Sequence, residues 1–66
     1  MSVYKVTEII GTSSSSWADA AAEAINTAKE TLRDLRVAEV VAQDIDLADG
    51  SMLYRVKLSV SFKYEH

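Results

Sequence analysis

The chain has no cysteine and a single histidine, His66. A disulfide scaffold is therefore excluded, and so is a zinc site built from Cys and His. Catalysis that relies on a thiol or an internal imidazole has no candidate residue. The only glycines are Gly11 and Gly50, too few for a loop that cradles phosphate. Aromatic residues are limited to Tyr4, Trp17, Tyr54, Phe62 and Tyr64. No apolar run approaches the length of a membrane helix, so no membrane partner is expected. The net charge is −3 and the basic residues are scattered, which argues against nucleic acid. The apolar N-terminal stretch contains Glu8 and does not read as a signal peptide. With no Cys, the expected location is the cytoplasm.

Sixty-six residues are expected to form one domain, residues 1–66. A chain of this size buries only about 60% of its unfolded surface, so its core is marginal. Disulfides and a zinc site are excluded, which leaves oligomerisation as the expected support.

The strongest pattern present is an alternation from Met52 to Tyr64. Met52, Tyr54, Val56, Leu58, Val60, Phe62 and Tyr64 are apolar. Leu53, Arg55, Lys57, Ser59, Ser61 and Lys63 lie between them, and all but the first are polar. A period of two predicts a strand with one buried and one wet face. Val3 to Ile10 is rich in β-branched residues and predicts a first strand that ends at Gly11. Ser16, with Asp19 three positions later, predicts a helix cap. The helix is expected from about Trp17 to about Leu35, with Ala21, Ala24, Ile25, Ala28, Leu32 and Leu35 as its apolar stripe. Trp17 is expected at a subunit contact or under a loop.

Arg36 to Leu47 predicts a second strand. Strict alternation places Val37, Glu39, Val41, Gln43, Ile45 and Leu47 on one face. It places Arg36, Ala38, Val40, Ala42, Asp44 and Asp46 on the other. Asp49-Gly50 signals a hairpin into the third strand. The fold class is therefore α+β, in the order β-α-β-β. The simplest sheet is antiparallel, with the third strand in the middle and one helix covering one face. The polar face, with Lys57, Ser59, Ser61 and Lys63, suits a wet interface.

Enzymatic chemistry has little support. Asp44 and Asp46 are close in sequence, but acid–base work needs a pocket that separates their pKa values. An EF-hand is excluded: counting from Asp44, position six is Asp49, Gly50 falls at seven and Arg55 stands at twelve. Strand alternation still puts Asp44 and Asp46 on one face, about 7 Å apart. They are the candidate metal ligands, completed by water or a symmetry mate. A solvated strand end before a turn is the alternative.

Several motifs occur together in order: Tyr4-Lys5-Val6 with Glu8, Gly11-Thr12-Ser13, the helix alanines Ala21, Ala24 and Ala28, Ala38-Glu39-Val40, and Tyr54-Arg55-Val56 with Val60 and Phe62. In this order and spacing the chain resembles the dodecins. That resemblance implies three antiparallel strands wrapped around one helix, assembled as a hollow homododecamer. It also implies a non-enzymatic binding and storage role, with flavin as the usual ligand.

Flavin-binding dodecins keep a stacking Trp where this chain has Val37, and a ring-contacting Gln where it has Arg55. Bacterial flavin binders tend to carry Arg where it has Asp44. Together with Gln43, these are the candidate cofactor-contacting positions. The chain looks most like the calcium dodecin subgroup, through Ser2 to Val6, Ile9 to Ser13 with Ser16-Trp17, Arg36 to Ala38, and Tyr54 to Lys63. The resemblance implies a divalent cation, calcium in that subgroup's manner, as ligand. Flavin (riboflavin or FMN) in an altered pocket is the alternative. A third reading is a purely structural assembly, or an anion site at Arg36 and Arg55.

Overall fold

The computed structural model describes residues 3–63. Its elements are β1 (Tyr4–Ser13), α1 (Trp17–Ala28), β2 (Leu35–Asp46) and β3 (Leu53–Lys63), with a short 3-10 turn at Ala48–Gly50. The sheet order is β1-β3-β2, and both pairings are antiparallel. The β-α-β-β order and the central third strand agree with the pattern in the sequence. Tyr64 and His66 lie outside the described residues.

β3 forms the centre because its alternation matches one buried and one wet face. Val56, Leu58 and Val60 are each about 1% exposed and pack with Ala20 and Ala24 of α1. Ile9, Trp17, Ala21, Ile25 and Leu35 close the edges of this core. Ala20 is fully buried, although the expected helix stripe omitted it. Alanine at these positions lets the helix approach the sheet closely.

Gly11 does not end β1. It lies inside the strand, opposite Val56. A Cβ built there would fall 2.1 Å from the Ala20 carbonyl oxygen and 2.7 Å from Ala24 Cβ. The glycine thus marks where helix and strand touch, and β1 continues to Ser13.

The N-terminus of α1 is capped as expected, with Ser16 Oγ accepting from the Asp19 N–H at 3.0 Å. The Asp19 carboxylate does not turn back to the cap. It accepts from the Ser13 hydroxyl at 2.8 Å, which satisfies that buried group. The helix is shorter than expected and stops at Ala28. There the Ala28 carbonyl accepts from both Thr31 and Leu32, and the Thr27 carbonyl accepts from Glu30. This tightened turn ends the helical ladder. Asp34 then adopts φ 56° and reverses the chain, a conformation that Asp tolerates better than most residues. Leu35 reaches the core from β2, not from the helix.

Strict alternation also fails in β2. The register skips Arg36 and Val41, so each is an extra residue on the bulged strand. Each bulge changes the phase of the residues that follow. Leu35, Ala38, Val40, Gln43 and Ile45 oppose the core-facing residues of β3. Val37, Glu39, Ala42, Asp44 and Asp46 oppose Ser61, Ser59, Lys57, Arg55 and Leu53 on the outer face. The helix packs mainly on β1 and β3. Ala38, Val40 and Gln43 therefore remain exposed on the helix side of β2.

Candidate functional site

The outer face of the sheet gathers the charged side chains. Asp44 stands directly opposite Arg55 in the register. The Arg55 guanidinium donates from Nε to Asp44 Oδ1 at 2.7 Å and from Nη2 to Oδ2 at 2.8 Å. A planar fork meeting a carboxylate in this way fixes both side chains. The hydrogen bonds from Arg55, aided by its charge, hold the Asp44 carboxyl below the usual carboxylate range. The same contact raises the Arg55 pKa. Both groups are therefore ionised at neutral pH.

Two further contacts fix this corner. Trp17 Nε1 donates to the Asp44 carbonyl oxygen at 3.1 Å. The Trp17 ring meets Tyr54 edge-on, with centroids 5.2 Å apart. Trp17 thus ties the start of α1 to the end of β2 and the start of β3. The sequence carried no signal for this, because its partner is a backbone carbonyl 27 residues away.

Asp46 shares the outer face with Asp44, as the spacing predicts. Its Oδ1 accepts from the Ala48 N–H at 2.9 Å and shapes the turn into β3. The two carboxylates are thus engaged separately, one by Arg55 and one by the turn. Among the described residues no group of three or more His, Cys, Asp or Glu side chains is placed to hold a metal ion.

Val37 lies on the same face, opposite Ser61, whose hydroxyl approaches the Val37 carbonyl at 3.5 Å. It is 61% exposed. Ser61 lies six positions along β3 from Arg55, so Val37 and Arg55 are about 20 Å apart along the sheet. Gln43 faces the helix side, opposite Val56. One protomer therefore brings Asp44 and Arg55 together but holds Val37 and Gln43 apart from them. Arg36 occupies a bulge rather than a place beside Arg55.

A second cross-strand pair joins β1 to β3, with Lys57 Nζ 3.3 Å from Glu8 Oε1. Between the two pairs lies a shallow pocket of about 290 Å³, lined by Ile10, Ala42, Asp44, Arg55 and Lys57. Glu8, Ile10 and Lys57 were not among the expected site residues. Their convergence depends on the β1–β3 register, which the sequence does not reveal by itself. Across the sheet, a larger groove of about 660 Å³ runs between α1 and β1 past Ile9, Ala24 and Leu32. Among the described residues no helix is long and apolar enough to cross a membrane.

A three-stranded sheet with one helix on one side and a charged, partly apolar opposite side defines a small α+β protomer with an open face. The dodecin family model matches residues 3–65, and the chain belongs to the dodecin family. Calcium dodecin from Mycobacterium tuberculosis is 55% identical over 64 residues, covering 96% of this chain and 90% of that protein. A crystal structure of that calcium dodecin, described as calcium chelating with a novel calcium-binding site, has a TM-score of 0.87 at 52% identity. It covers 96% of this chain and 91% of its own. The dodecin from Streptomyces davaonensis has a TM-score of 0.90 at 35% identity, covering 98% and 97%. A point mutant of Thermus thermophilus dodecin has a TM-score of 0.91 at 33% identity, covering 100% and 98%.

Proposed function

We propose that this chain is a non-enzymatic binding and storage protein, one dodecin-like unit over residues 1–66. It acts as a cytoplasmic homododecamer whose ligand is calcium or another divalent cation. The observation that carries this reading is the 55% identity to a calcium dodecin over nearly the whole chain. The outer face supports it, since an exposed Val37 offers a ligand no aromatic surface. Asp44 and Asp46 are the protomer's contribution to the cation site. Hard cations take six or more oxygen ligands, so neighbouring subunits and water complete the coordination. Assembly also accounts for the exposed Val6 and Val37, which would meet other subunits.

Calorimetric titration of metal-stripped protein with calcium chloride tests the reading. Saturable heat and a raised melting temperature are expected, because a ligand that binds only the folded state stabilises it by mass action. No heat and no thermal shift at millimolar calcium would contradict it.

Flavin binding in an altered pocket is the second reading, favoured by the close superposition on other dodecins. It predicts that excess protein quenches riboflavin or FMN fluorescence. Full fluorescence under those conditions removes it.

A further inference from the structure

The Asp44–Arg55 contact has the form of a ligand contact. A guanidinium fork that grips two oxygens of one carboxylate would grip a phosphate or a ligand carboxylate in the same way. Here the oxyanion is supplied from within the chain, at 2.7 and 2.8 Å. The fork borders the pocket lined by Ile10, Ala42, Asp44, Arg55 and Lys57. Lys57 brings a second cation, and Ile10 and Ala42 bring apolar surface. Lys57 is held by Glu8 through one contact at 3.3 Å. The two cations thus stand among three carboxylates, Asp44, Glu8 and Asp46, the last of which also acts on Arg55 through its charge.

We propose that Asp44 is a specificity-determining residue that occupies the Arg55 fork and so closes this pocket to small oxyanions with an apolar part. Removing the Asp44 carboxylate takes one negative charge from the pocket and leaves the Arg55 fork without its partner beside apolar surface. In the metal-free protein the occupied fork makes Arg55 unavailable as a recognition group. Calcium at Asp44 would compete with Arg55 for the same carboxylate, so the inference concerns the metal-free protein and its test excludes divalent cations.

The test uses full-length protein, stripped of metal and dialysed free of chelator. Phenyl phosphate is titrated by calorimetry into the wild type and the Asp44→Asn and Asp44→Ser variants, with phenol as the uncharged control. Both variants are expected to bind phenyl phosphate at least ten-fold tighter than the wild type, with phenol binding unchanged. Adding Arg55→Gln to either variant is expected to abolish the gain. Asp44 and Arg55 are both exposed, so the variants should fold, and either one alone suffices if the other does not. The inference is overturned if no folded Asp44 variant gains affinity. It is also overturned if the gain survives Arg55→Gln, or if phenol gains equally.

Discussion

Along β3, neighbouring residues meet opposite surroundings. Val56, Leu58 and Val60 are closed off by the helix of the same chain. Arg55, Lys57 and Ser59 face outward beside an exposed Val6 and Ile10. The first face is completed within the protomer, and its apolar burial holds the fold together. The second carries two cross-strand ion pairs and is left open by the rest of the chain. A small chain can thus devote one side of its central strand to stability and leave the other open.

The largest effect should come from breaking the inner face. Leu58→Ala removes a fully buried side chain and is expected to cost about 2–5 kcal/mol. Its outward neighbour Lys57, changed to Ala, should stay within about 0.5 kcal/mol of the wild type. Urea unfolding of the two variants side by side measures the contrast, and equal losses would erase it.

Gly11→Ala probes the same face from its edge. The added Cβ would meet the Ala20 backbone, which cannot move without displacing α1. A loss of about 1–3 kcal/mol is expected from this overpacking. Thermal melts should show it, and an unchanged melting temperature would mean that the helix sits farther from β1.

On the outer face, Val37→Trp should change function more than stability. The position is exposed, so stability should change by about 0.5 kcal/mol or less. The new ring restores an aromatic surface, worth about 0.5–1.5 kcal/mol in a stacked pair. Partial quenching of riboflavin fluorescence is expected in this variant. Unchanged fluorescence would show that Val37 does not border a flavin-sized site in the assembly.

The smallest effect concerns the Asp44–Arg55 pair. The folded-state pKa of Asp44 is lowered from its ordinary value of 3.8, chiefly by hydrogen bonds from Arg55. Its contribution to stability is therefore fully present above that ordinary value. It is lost as pH falls through the lowered value. Acid melts of the wild type and Asp44→Asn should converge below pH 3.8 and separate only slightly above it, because exposed pairs are screened by water. A gap that widens in acid would contradict the sign.

The sequence showed the inner face far better than the outer one. The Met52–Tyr64 alternation identifies β3, and β3 at the centre determines the strand order. The Ser16 cap is equally legible, since the hydrogen bond spans only three residues. The bulges at Arg36 and Val41 are not. β2 has Val or Ala on both faces, so no polar period reveals a change of phase. Without the bulges Val37 shares a face with Gln43; with them it shares a face with Asp44 and Arg55. The Asp44–Arg55 pair and the Trp17 clamp were likewise hidden, because each depends on register or on backbone far away in sequence. The helix end is not legible, because Leu32 and Leu35 continue the apolar spacing beyond the turn at Ala28.

Native mass spectrometry of metal-stripped protein, before and after calcium chloride, tests the open outer face most directly. The account predicts a dodecamer that gains discrete calcium masses, with the gain lost in the Asp44→Asn/Asp46→Asn double variant. A monomer, or an assembly whose mass does not change at millimolar calcium, would contradict it.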